Sequence, residues 1–167
     1  MNKITVFFLT ISLCALHTCA QGKKFSPSFS VVFDSSKGAL LLHQCSRATP
    51  GHVAEFWTPQ QQDIEVLESN FFKLDTLAAR TCCAIGFRVG NLDKYGFQYA
   101  GVVIKGRKCI YLNAFSLSFL DELKKIDQHL DPAKVPLAVC DGGPSFWGVL
   151  YDTESKEFSQ LSFNGRG

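Results

Sequence analysis

Apolar residues recur at Ile64, Leu67, Phe71, Leu74 and Ala78, spacings of three and four that draw one stripe down a helix. Thr58-Pro59-Gln60-Gln61 precedes it with an N-cap hydroxyl, a proline at the first helical position and a glutamine at the third. Asp63, Glu65 and Glu68 lie toward the positive end of the helix dipole, and Lys73 and Arg80 toward the negative end. The pattern predicts one long amphipathic helix over 59–79.

Elsewhere the period is two or absent. Residues 29–33 read as a short strand, 34–38 as a turn, 39–43 as a returning strand and 45–55 as loop. The run 99–114 reads as a hairpin turning at Lys105-Gly106, with Ile104 opposite Arg107 and Val102 opposite Cys109. Cys109, Tyr111 and Asn113 then share one face, and Ile110, Leu112 and Ala114 share the other, taken as the core face. A shorter helix is predicted at 119–130, closed by Asp131-Pro132. Residues 135–140 read as a strand, 141–144 as a turn, and 146–151 with 157–163 as a terminal hairpin. Few helices and hairpin-linked strands predict an α+β fold: an antiparallel sheet with the long helix packed across it and a second short helix.

Residues 1–20 stand apart. Lys3, an apolar run from Ile4 to Leu16 and a small-x-small ending at Ala20 form the pattern of a cleaved secretory signal peptide. The run is too short to span a bilayer, and no later stretch is apolar enough to do so. The rival, a lipid anchor through Cys19, places His17 and Thr18 where such signals want small residues. The expected organisation is a leader at 1–20, a flexible N-terminus at 21–28 and one globular domain at 29–167.

A net charge of +2 with scattered Lys and Arg gives no electrostatic footprint for nucleic acid. Of the seven cysteines, Cys45, Cys82, Cys83, Cys109 and Cys140 follow the leader. Their spacing lacks the C-x₂₋₄-C and His pairs of a zinc site, and no metal or cofactor is expected. Export favours disulfides. The pairing expected is Cys109 with Cys140, and Cys45 with Cys82 or Cys83.

Candidate chemistry gathers in VCDGGPSFWGVLYD, 139–152. Cys140 or Asp141 with His43, His52 or His129 would make a hydrolase, with Gly142 and Gly143 offering backbone N–H groups to an oxyanion. Against that, Asp141-Gly142-Gly143-Pro144 is a strong turn signal, and a catalytic thiol must stay reduced outside the cell. Strand alternation turns some aromatics outward, and Phe146, Trp147, Trp57 and Tyr111, beside Asp141, Gly142 and Gly143, are the candidate anchors for a protein partner. The leading expectation is therefore a small exported, disulfide-stabilised domain binding another protein, as an envelope inhibitor or immunity factor would. An envelope hydrolase and a carrier of a small apolar ligand are the alternatives.

Overall fold

The structure, a computed structural model, describes residues 25–80 and 84–165. The leader, and most of the stretch expected to be a flexible N-terminus, lie outside the described residues.

The fold is α+β around a mixed six-stranded sheet: β1 (Ser30–Val32), β2 (Val53–Trp57), β3 (Tyr95–Ile104), β4 (Arg107–Ser116), β5 (Phe146–Asp152) and β6 (Glu157–Phe163). The order is β1-β3-β4-β5-β6, with β2 also on β3. β1 runs parallel to residues 97–99 of β3, and β2 runs antiparallel to residues 101–104 of the same strand. The two short strands thus share one edge end to end, and the parallel pair corrects the expectation of a wholly antiparallel sheet.

The β3–β4 hairpin follows its sequence. Lys105 and Gly106 turn with φ of 52° and 76°, the pair of positive angles that matches strand twist in a two-residue loop. Ile104 faces Arg107 and Val102 faces Cys109. The terminal hairpin of β5 and β6 also forms where the alternation placed it.

The long helix is divided. α2 spans only Gln61–Ser69, and a 3₁₀ stretch continues over Phe71–Thr76. Thr58 does not cap it, because its hydroxyl accepts the Ser35 N–H at 3.0 Å; Gln60 stands at the N-cap, its N–H held by Asp63 Oδ2 at 2.8 Å. At the other end Ser69 Oγ and Asn70 Nδ2 both donate to Val66 O, satisfying a carbonyl the helix would otherwise use. Ile64, Leu67, Phe71 and Leu74 are nevertheless all buried. The apolar stripe survives the change of helix type. Ala78, its last expected member, instead forms an isolated bridge with Arg88.

Other departures share a cause, burial on both sides of the sheet. Phe97, Tyr99, Ile110, Leu112, Ala114, Trp147 and Tyr151 pack on one face under α2 and the 3₁₀ stretch. Ala100, Val102, Cys109, Tyr111 and Leu150 pack on the other beneath a second helix, α1 (Gly38–Leu42). The expected strand over 39–43 is thus a helical turn: an apolar run of that length has no diagnostic period. β2, expected as loop, carries a bulge between Val53 and Glu55 that destroys its alternation.

A third helix, α3 (Leu117–Ile126), begins two residues before the expected start and ends four before the expected close. Residues 135–140 form no strand. They lie over the second face, where side-chain amides rather than a ladder receive their carbonyls. Gln98 Nε2 donates to Pro132 O and Val135 O (2.7 and 2.9 Å), Asn113 Nδ2 to Leu137 O (3.0 Å), and Asn164 Nδ2 to Val139 O and Asp141 O (2.5 and 2.9 Å).

Candidate functional site

Cys140 is bonded to Cys45, 95 residues away in sequence, with 5.0 Å between Cα atoms. This corrects the expected Cys109–Cys140 pair. Cys109 is a free, buried thiol near the start of β4, facing Asp152 of β5, whereas Cys140 rides on the segment laid across the sheet and Cys45 follows α1 onto the same side. Cys82 and Cys83 lie outside the described residues. With its sulfur in a disulfide, Cys140 has no thiol to act as a nucleophile.

The glycine turn is likewise occupied. Gly142 takes a φ of 92° and Gly143 a φ of 50°, and a 3₁₀ turn carries Pro144 into β5. The Gly143 N–H donates to Gly165 O at 3.0 Å, so it is not offered to a substrate oxygen. Asp141 and Gly142 are exposed and Gly143 is buried. His43 ends α1, His52 precedes β2 and His129 follows α3, and no metal-binding group forms among the described residues.

The expected aromatic anchors are core. Trp147 is fully buried, its ring centroid 5.6 Å from Tyr95 and 6.1 Å from Phe97. Phe146 is buried edge-on against Phe119 at 4.8 Å. Tyr111 is buried over Gly148, where any Cβ would meet its hydroxyl. Trp57 is half-buried, its Nε1–H donating toward Val102 O and Cys109 O (3.3 and 3.2 Å) with Lys108 Nζ 4.8 Å above the ring. None of the four projects from the surface as an anchor: Tyr111 and Phe146 face the side roofed by α1, α3 and residues 132–141, while Trp147 and Trp57 pack on the first face under α2.

What replaces an outward face is a buried polar cluster. Arg47 is 8% exposed. Its Nε donates to Tyr111 Oη at 3.2 Å, Nη1 to Asn164 Oδ1 at 2.8 Å and Nη2 to Asn113 Oδ1. Among the described residues no carboxylate pairs with it. Asn113 and Gln98 are joined at 2.9 Å, and Gln98 Oε1 also accepts the Leu137 N–H. A lone Gln98 or Asn113 within an apolar strand was the available sequence signal, since a buried polar side chain requires partners. Arg47 stands in a stretch without period and gave none.

A pocket opens on the second face, where the β3–β4 turn, the β5–β6 loop and the approach to β2 meet. This pocket of about 320 Å³ is lined by His52, Lys105, Arg107, Cys109, Asp152 and Gln160, among others. It holds the free thiol, a histidine and an ion pair, Arg107 Nη1 to Asp152 Oδ2 at 2.6 Å, and is the best candidate for a functional site. Burial pushes the Asp152 carboxyl up, but the N–H groups of Ser155 and Glu154, at 3.1 and 3.0 Å, and the Arg107 guanidinium outweigh it and hold the acid below its ordinary value. Burial, reinforced by the Asp152 charge, raises the Cys109 thiol despite Arg107. Near neutral pH the pair is a fixed carboxylate beside a neutral thiol, the reverse of an activated nucleophile and its base.

No protein-family model, no curated protein and no solved structure matches this chain. No helix among the described residues is long and apolar enough to cross a membrane.

Proposed function

We propose that this chain is an exported, non-catalytic domain that binds another protein, in the manner of an envelope inhibitor or immunity factor. The observation that carries this reading is the state of its reactive groups. The Cys140 sulfur is in a disulfide, the Cys109 thiol is buried and held protonated, and the Asp152 carboxylate is locked by Arg107 and two backbone N–H groups. Large apolar side chains also stand exposed, among them Phe72 at 66% and Ile85 at 75%. The disulfide fits an oxidising compartment, and the sequence pattern of 1–20 fits export.

Fractionation with N-terminal sequencing tests the export half. The secreted or periplasmic chain is expected to begin at Gln21; a cytosolic chain that keeps Met1 contradicts it. Cross-linking in cells followed by identification of the linked peptides tests the binding half, with a reproducible partner contact expected on one continuous surface. A chain that cross-links nowhere, or that turns over envelope substrates, overturns it.

A further inference from the structure

We infer that the open edge of β6 receives an extended segment of the partner as a further strand, and that this segment alternates apolar with acidic residues. The inference rests on the protein-binding reading and names the surface and the chemistry of what binds there.

Among the described residues β6 ends the sheet and pairs only with β5. Among the described residues, positions 158–161 make no backbone hydrogen bond outside that pairing. Such an edge carries a row of backbone donors and acceptors that fits another extended chain. Here it is also walled. Phe158–Leu161 line the floor of a groove of about 470 Å³ that Leu77, Ala78, Arg80 and Ala48 also border. Ser159 and Gln160 are exposed in that floor, and the same two residues also border the pocket that holds His52, Lys105 and Arg107. One stretch of edge therefore opens onto an apolar groove and a cationic pocket at once.

Successive side chains of a strand point to opposite sides. A strand laid on β6 would send one into the groove against Leu77, Ala78 and Leu161 and the next toward Lys105 and Arg107. Arg107 is already paired with Asp152, while Lys105 and Arg80 make no ion pair among the described residues. The balance is positive, and an acidic residue completes it. Gln160, at a φ of 55°, sits where the β5–β6 register slips between Gly148 and Leu150.

Hydrogen–deuterium exchange of the full-length mature chain tests this, with three acetylated pentapeptides as probes: alternating Val and Glu, alternating Val and Lys, and the Val–Glu peptide with its outward backbone nitrogens methylated. The Val–Glu peptide is expected to slow exchange within 158–161, the Val–Lys peptide to bind at least tenfold more weakly by fluorescence anisotropy, and the methylated peptide not to bind. Exchanging Lys105 and Arg80 together for Glu, both exposed, reverses the preference between the two charged peptides. No slowing at 158–161, equal binding of the Lys peptide, or a homodimer seated on this edge by sedimentation overturns the inference. A partner cross-linked elsewhere with 158–161 unchanged overturns this docking and leaves the binding reading standing. A chain that cross-links to nothing ends that reading itself.

Discussion

Arg47 is the residue on which the second face turns. A buried guanidinium without a carboxylate is tolerated only because Tyr111, Asn113 and Asn164 all present oxygen to it. Arg47→Met keeps the length and removes the donors, leaving three buried acceptors short of a partner. At about 1 kcal/mol or more for each, urea denaturation is expected to show a loss of about 3 kcal/mol, and a variant as stable as the parent contradicts the network. Asp152 makes a pH prediction of definite sign. Its folded carboxyl is depressed, so its contribution is complete above the ordinary aspartate value of about 3.9 and is lost as the pH falls through the lower folded value. Asp152→Asn removes that contribution at neutral pH, and its stability is expected to fall less steeply than the parent's below pH 4 in paired acid titrations. Equal slopes would show that the Arg107 pair and the two N–H contacts do not hold the carboxylate.

At the scale of elements, the disulfide and the side-chain amides do for residues 132–141 what a ladder does for a strand. The bond closes a loop with a sequence separation of 95, and chain entropy assigns such a loop about 4.7 kcal/mol. Cys45→Ser with Cys140→Ser is expected to lower stability by that order and to speed amide exchange across 132–141 while β3 and β4 stay protected. Uniform loss of protection would mean that the segment is integral to the sheet rather than strapped over it. The same arrangement explains what could be read in the chain. The β3–β4 hairpin was legible because Lys105-Gly106 marks a two-residue turn between strands of clear propensity. The stripe from Ile64 to Leu74 was legible because burial follows periodicity whether the backbone is α or 3₁₀. Alternation misled where both faces are covered: Tyr111 and Phe146 lie opposite in phase to the core face of Ile110, Leu112, Ala114 and Trp147, yet each is roofed. β2 was hidden by its bulge, and 135–140 looked like a strand because its apolar residues pack while its carbonyls go to Gln98, Asn113 and Asn164, distant in sequence. Cys45 and Cys140 are likewise distant in sequence, and spacing alone could not pair them.

For the whole molecule, the central question is whether the chain acts by contact or by chemistry. Trp147 illustrates the difference. Fully buried among Tyr95, Phe97 and Phe163, it is a core residue, and Trp147→Ala is expected to cost about 3–5 kcal/mol in thermal or urea unfolding rather than to weaken a partner selectively. A well-folded Trp147→Ala chain that loses only binding would return that ring to the surface. The reactive groups decide the larger issue. Residue-resolved thiol labelling of the exported protein, by alkylation before and after denaturation with peptide mapping, tests it most directly. A peptide linked through Cys45 and Cys140 is expected, with a Cys109 that resists alkylation until the fold is lost. A native protein in which Cys140 is reduced and reactive, or in which Cys109 alkylates readily at neutral pH, would contradict it.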